Sequence, residues 1–344
     1  MAADDPDVPV VLIAFNRPRV TQRVIDAWRE VRPSRVFVVA DGPRPGNAED
    51  VDKCAAVRAI IDGIDWECTV EKRYAESNIG LEANVELGLD WVFDHVDRAI
   101  VFEDDCIPDP SFFRFCEELL DRYADDDRVW FVAGDKKLVP QEYFKGRSYA
   151  FSTWASVWGW ATWGDRWKRH RAVFPRDHAG AAERAGATPR TADAVRTEPA
   201  PPAPGALTTE AGRRHFLKVS QTPDGDHYGW DHHLWVTIIS QGGLCVTPSL
   251  YLVENDGFGP DATHTRANRQ PRPAQQMPFP LVHPPEVALD RDVETELELV
   301  LLRIDGRLSR IAKQVVRPLW LRKVVRRVIT QPLVWKVVRR LVAR

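Results

Sequence analysis

Three consecutive carboxylates, Glu103-Asp104-Asp105, follow the apolar run Ala99 to Phe102 and precede Cys-Ile-Pro-Asp-Pro. Carboxylates crowded at the end of a buried strand repel one another and lose solvation. A divalent cation bridging to a diphosphate would offset that cost through hard oxygen ligands. The same acids also suit the N-terminus of a helix expected over Ser111 to Tyr123, where the macrodipole favours negative charge. Residues alone leave both open. Asp125 to Asp127 follows a helix with no buried strand before it and reads as a solvated turn.

Further polar residues sit after other apolar runs. Asn16-Arg17-Pro18 follows Val10 to Phe15, Asp41-Gly42-Pro43-Arg44 follows Arg35 to Ala40, and Ser77-Asn78-Ile79-Gly80 follows Cys68 to Tyr74. Asp41 could accept the imino N–H of a pyrimidine, or form an ordinary Asp-Gly turn. Asn78 and Gly80 suit a tight turn in which glycine lets the backbone approach a ligand. Trp160, Trp163 and Trp167 recur at three- and four-residue spacing, which predicts one aromatic helical face packed in the core. Trp154 and Trp158, next to Gly159, better suit a wall for a sugar or nucleotide. Asp231 precedes an apolar run and is either a helix N-cap or a general base. The Gly-rich stretch Asp256 to Thr265, with His264, could fold over a diphosphate or serve as a plain connector.

The elements that position these residues alternate. The four apolar runs read as strands buried on both faces, separated by helical segments at Val20 to Val31, Glu49 to Ile61 and Leu81 to Val96. This alternation predicts a mostly parallel α/β sheet flanked by helices, with ligands at the carboxyl ends of the strands. The four polar strand ends should therefore converge on one crevice. Residues 178–214 are rich in Ala, Pro and Thr and read as a flexible insertion. A compact segment resumes at His215, and a Pro-rich connector over 266–300 leads to a basic tail.

Of the 344 residues, 44% are apolar and 28% charged, which excludes a disordered or collagen-like chain. The formal net charge of −3 conceals an asymmetry. Arg303 to Arg344 holds 13 Lys/Arg and one acid, a net of +12, and the other residues carry −15. The acidic body argues against nucleic acid as a partner. The tail (301–344) reads as short basic amphipathic helices, suited to an anionic membrane surface or to packing on the acidic body. The five cysteines form no C-x-x-C pair, so neither a disulfide framework nor a structural zinc site is expected. The first eight residues lack an apolar signal core, and no apolar run approaches about 18 residues, so the expectation is a cytoplasmic protein, peripheral on the membrane if the tail binds there.

Taken together, the segments resemble the GT-A glycosyltransferases that use nucleotide-sugar donors, in particular the inverting N-acetylglucosaminyltransferase I type and its bacterial relatives. VLIAFNRP, VVADGP and SNIGLEAN are similar to that family's nucleotide-contacting segments, and FEDDCIPDPSFF to its acidic DXD signature and following helix. SVWGWATWGDRW resembles the aromatic segment on the sugar and acceptor side, GWDHHLW the segment carrying the catalytic base, and GLCVTPSLYLVENDGFGPDATHT the closing segment. One departure is His232, which stands where the family has a second acidic residue.

The resemblance, spanning residues 8–265, implies a GT-A fold and an inverting, metal-dependent transfer of a hexosyl or N-acetylhexosaminyl unit to an acceptor hydroxyl. It implies that Asp105 ligates Mn2+ or Mg2+, with His264 near the metal or diphosphate. Glu103 and Asp104 would hold the ribose and donor sugar, Asp41 the base, and Asn16 and Arg17 the nucleotide. Asn78 would lie on the turn beside the nucleotide, Trp158 and Trp160 would line the sugar side, and Asp231 would take the acceptor proton. A UDP-sugar donor and a glycan or lipid-linked acceptor are the expected partners, in polysaccharide or cell-envelope synthesis. A sugar-phosphate nucleotidyltransferase competes with this reading, but its usual Gly-rich N-terminal loop is absent from Asn16-Arg17-Pro18. A membrane-associated scaffold with a degenerate site is the third alternative.

Overall fold

The computed structural model describes residues 8–175, 178, 180–181, 199–202, 205–221, 229–257 and 272–301. His264, most of the Ala/Pro-rich stretch and the basic tail beyond residue 301 lie outside the described residues.

The first half of the chain alternates strand and helix: β1 (Val10–Ala14), α1 (Pro18–Trp28), β2 (Arg35–Ala40), α2 (Ala48–Asp62), β3 (Thr69–Tyr74), α3 (Leu81–Val92) and β4 (Arg98–Glu103). Then come β5 (Cys106–Pro108), α4 (Ser111–Arg122), β6 (Val129–Ala133), β7 (Tyr149–Ser152), β8 (Trp160–Trp163) and α5 (Gly164–Val173). The remaining described elements are α6 (Glu210–Gln221), α7 (Trp230–Ser240), β9 (Leu244–Pro248), β10 (Val253–Asn255) and α8 (Arg291–Leu301).

Eight strands form one sheet in the order β3-β2-β1-β4-β8-β6-β9-β7. The β3-β2-β1-β4 half is wholly parallel and β6 runs parallel to β9, whereas β8 and β7 pair antiparallel with their neighbours. The fold is thus a mixed α/β layer structure with a mostly parallel central sheet flanked by helices, as the alternation predicts.

Side-chain alternation along the strands sorts two cores. Val10, Leu12 and Ala14 of β1 and Val36, Val38 and Ala40 of β2 pack with Trp28 of α1, Val57 of α2 and Phe112 of α4. Val11, Ile13, Phe37 and Val39 face the other way, onto Val85 and Leu89 of α3, Trp167 of α5 and Leu234 of α7. A strand covered on both faces has to be apolar at every position, and β1 is buried throughout. β3, expected to be similar, departs from this: its TVEKRY sequence leaves side chains partly or fully exposed, because it is the sheet's edge strand.

Two further expectations change. The three-and-four spacing of Trp160, Trp163 and Trp167 is not one helical face, since Trp160 to Trp163 is strand β8 and the helix begins at Gly164. Residues 291–301, expected as the end of the connector and the first residue of the tail, form α8, whose Val293 and Leu297 are buried against Trp235 and Phe216. Among the described residues no helix is long and apolar enough to cross a membrane.

Candidate functional site

β1 lies between β2 and β4, so the chain leaves the sheet in opposite directions from its two sides. This is the topological switch point at which open α/β sheets bind ligands. Register brings the strand ends level, with Ala14 beside Ala40, Ala40 beside Tyr74, and Ile13 beside Glu103. The residues that follow open onto a cavity of about 340 Å³ lined by Arg17, Asp41, Asn78, Gly80, Glu103, Asp104, Asp105 and Trp158. Phe15, Arg44, Leu81, Asn84, Asn255 and Gly257 complete much of the wall.

The acidic turn is held by one guanidinium. Arg17, just before Pro18 opens α1, donates from Nη1 to Asp105 Oδ2 at 2.7 Å and from Nη2 to Asp104. Burial works against the Arg17 charge, but the fields of Asp104 and Asp105 outweigh it and raise its pKa. Asp104 also accepts the Phe15 N–H at 3.4 Å, and Asp105 Oδ1 accepts from the Asn255 amide at 3.2 Å. Burial, then the charge of Asp105, pushes Glu103 up to about 8, and burial also raises Asp104. Three acids therefore share one cation. Among the described residues no group of three or more His, Cys, Asp or Glu side chains is arranged to hold a metal ion.

The antiparallel β5–β10 pair lays residues 255–257 over this turn, with Asn255 opposite Cys106. Asp256 N–H donates to the Asp105 carbonyl at 2.9 Å. Arg23 of α1 clamps the segment from outside, reaching Asp256 at 2.6 Å and Glu254 at 3.0 Å. Gly257 is packed so closely that a Cβ there would lie 2.1 Å from Asp105 Oδ2.

Asp41 uses its carboxylate inside the protein. Oδ1 accepts the N–H groups of Gly42 (2.8 Å) and Ile79 (2.9 Å), and Oδ2 accepts the Asn78 amide (2.8 Å) and the Gly80 N–H (3.1 Å). Asp41 and Asn78 together shape the turn that starts α3, whose N-cap Gly80 takes a positive φ of 88°. This is the turn-forming role in which Asp-Gly pairs are common.

Asn16 does not line the cavity; its amide donates to Asp50 at 2.7 Å. Asp50 also accepts from Arg44, and these bonds hold its carboxyl well below the usual range despite burial. Asn16 thus supports Arg44, which does line the cavity. Trp160 is not at the surface either: it is 1% exposed and stacks on Phe131 at 4.9 Å, because its strand position points into the core. Trp154 stacks on Trp235 at 4.4 Å, away from the cavity wall. Trp158 alone of these tryptophans lines it.

Asp231 occupies the first turn of α7, but Gly229 is the N-cap. The Trp230 N–H is satisfied from α3, by Glu82 at 3.0 Å. Asp231 Oδ1 lies 3.1 Å from His232 Nδ1, with both side chains 38% exposed. Burial alone would raise Asp231, yet His232 lowers it; Asp231 in turn raises His232 against its own burial. Asp231 does not line the cavity, though its charge reaches Glu103.

Sequence reasoning missed Phe15, Leu81, Asn84 and Asn255, and placed Arg44 at a strand end and Gly257 in a Gly-rich loop without giving either a role of its own. Arg44 follows a strand end, and Asn84 lies one helical turn beyond Gly80, so both carried a positional signal. Asn255 depends on the β5–β10 pairing, which no local pattern announces.

No protein-family model matches the chain, and no curated protein is similar to it in sequence. Among solved structures, it is similar to mouse xyloside xylosyltransferase 1 in its apo form (10% identity, TM-score 0.30, 47% of this chain and 69% of that one). It is also similar to a mannosyltransferase from Pyrobaculum calidifontis in complex with GDP-Man and Mn2+ (15% identity, TM-score 0.35, 70% of this chain and 71% of that one). Both TM-scores fall below 0.5, too low to assign a fold family or an activity.

Proposed function

We propose that the chain is a GT-A-type glycosyltransferase that moves a sugar from a nucleoside diphosphate donor to an acceptor hydroxyl. The observation that carries this reading is the cavity at the β1/β4 switch point, where the other three polar strand ends meet the Glu103-Asp104-Asp105 turn. A nucleotide would lie along Phe15, Arg17 and Arg44, with the sugar toward Glu103 and Trp158. A UDP-sugar is the donor favoured by the sequence resemblance.

The donor set suits a divalent cation. Asp105 offers hard oxygens among acids that a single guanidinium leaves under-neutralised, and the absent Cβ of Gly257 spares Oδ2 a clash with the overlying segment. Asp105 would hold Mn2+ or Mg2+, which when bound offsets the charge on the departing diphosphate. Arg17 would turn from Asp105 to the diphosphate, and Asp104 and Glu103 would hold ribose and sugar hydroxyls. Asp231, kept ionised by His232, would take the acceptor proton as the acceptor oxygen attacks the anomeric carbon, inverting its configuration.

The test is a panel of UDP- and GDP-hexoses with Mn2+, read by nucleotide release and by calorimetric binding of UDP and GDP. Release of free nucleoside diphosphate from one member supports transfer. Failure to bind any of them would overturn it. A glycan or lipid-linked acceptor, with the basic tail on an anionic membrane, completes the proposal. Unchanged flotation of phosphatidylglycerol vesicles after deletion of residues 302–344 would exclude the tail's part.

A further inference from the structure

One charged group behind the cavity wall plays no part in the reading above. Asp135, just past the end of β6, has a side chain with no exposure, and its carboxylate accepts the backbone N–H of Lys137. It also lies 3.0 Å from Lys137 Nζ and accepts the Ser156 hydroxyl at 3.4 Å. Lys137 takes a left-handed backbone, φ 51°, a conformation that costs energy for any residue with a Cβ. Its carbonyl accepts the Tyr251 hydroxyl, which Arg272 in turn contacts at 2.8 Å. The result is a lysine whose ammonium lies 3.5 Å from the ring centroid of Trp158.

Trp158 lines the cavity together with Glu103 and Asp105, whereas Lys137 does not. The backbone under Trp158 is fixed independently. Gly134 N–H donates to the Gly159 carbonyl at 2.8 Å, and a Cβ on Gly134 would lie 2.7 Å from that oxygen and 3.0 Å from the Trp158 carbonyl. Packing alone could be met by an apolar residue at position 137. An ammonium 3.5 Å from the ring centroid is directional, because it favours the indole face over its edge.

We propose that Lys137, anchored by Asp135, is a specificity-determining positioning residue that presents the Trp158 indole as the wall against which the transferred sugar packs. The C–H face of a pyranose fits such a ring, and a tilted indole would lose that contact without disturbing the nucleotide end of the cavity. The inference rests on the proposed glycosyl transfer and deepens it.

The test compares two affinities in each protein by calorimetry with Mn2+: UDP-glucose or UDP-N-acetylglucosamine against UDP, and GDP-mannose against GDP. Lys137→Met should weaken the sugar nucleotide by about two- to thirtyfold, the range of a cation–π contact, and leave the bare nucleotide unchanged. Lys137→Arg, which keeps the cation, should restore most of the loss. In a Trp158→Leu background, Lys137→Met should cost nothing more. Equal loss for sugar nucleotide and bare nucleotide, or no loss for either, would overturn the assignment while leaving nucleotide binding intact. Wild-type protein that binds neither UDP nor GDP would instead overturn the underlying function, and this inference with it. Should Lys137→Met fail to fold, the Arg variant and Trp158→Leu keep the comparison, since equal sugar and bare-nucleotide effects in Trp158→Leu would overturn the wall itself.

Discussion

Arg17 Nη1 sits 2.7 Å from Asp105 Oδ2, so the first strand's guanidinium rests on the same carboxylate that a divalent cation would claim. Its other nitrogen donates to Asp104. The side chains of all three residues are mostly buried, at 18%, 3% and 7% exposure for Arg17, Asp104 and Asp105.

Arg17→Met should therefore leave two crowded carboxylates without a counter-charge. Removing one partner of a buried pair costs on the order of 3 kcal/mol, and Mn2+ should restore part of it. Melting curves with and without Mn2+ measure both. A metal-free melting temperature equal to wild type would show that Arg17 is not the charge partner it resembles.

Gly257→Ala tests the overlying segment. The new Cβ would press on Asp105 Oδ2 from 2.1 Å, so the carboxylate has to move. A displacement of that size at a reacting centre costs about a hundredfold in rate. We expect lost transfer and weakened Mn2+-dependent nucleotide binding in a protein that still folds. Wild-type binding in this variant would place the segment away from the donor.

The Asp231–His232 pair makes a prediction with a definite sign. His232 has a raised pKa, so its share of stability is present below the ordinary value of 6.5 and fades as pH rises through the folded value. Asp231 has a lowered pKa, so its share is present above 3.8 and fades as pH falls through the folded value. Asp231→Asn should abolish transfer and shift the His232 titration downward, since the charge and hydrogen bond that most oppose its burial are then gone. Imidazole proton shifts followed by NMR report this directly. A titration that does not move would break the pairing.

Glu294 of α8 is fully buried and accepts the Thr153 N–H at 2.7 Å and hydroxyl at 2.6 Å, yet burial lifts it to about 8. Its ordinary value is 4.5, so the folded state increasingly resists its ionisation as pH rises from about 4.5 to about 8. Glu294→Gln can keep both Thr153 contacts without the charge. We expect it to be more stable than wild type at pH 8 and similar at pH 4.5. Denaturant unfolding at the two pH values decides, and a variant less stable at pH 8 would refute the cause.

Much of the parallel half of the sheet was legible from local pattern. The runs at Val10, Arg35 and Ala99 are apolar at nearly every position, a demand that only a two-sided burial makes. Once they alternate with helices, Arg17, Asp41, Asn78 and Glu103 are placed at strand ends by chain order alone. Trp160 was misplaced because spacings of three and four also occur where a strand passes into a helix, and the local sequence does not mark Gly164 as the boundary. The helix at Arg291–Leu301 was hidden by its Pro-rich approach, and the burial of its Glu294, Glu296 and Glu298 is set by tertiary contacts.

The amino-acid sequence by itself determined the alternating α/β order, the acidic turn after β4 and the polar strand ends, because each depends on neighbours within a few residues. Only the tertiary structure decided which partners those residues have. It set Arg17 on Asp104 and Asp105, turned Asp41 inward onto the Asn78 turn, laid Gly257 over Asp105 and placed Lys137 behind Trp158. These contacts join residues up to 152 positions apart in the chain, as between Asp105 and Gly257. Charge pairing and close packing act through space, and the folded chain alone sets those distances.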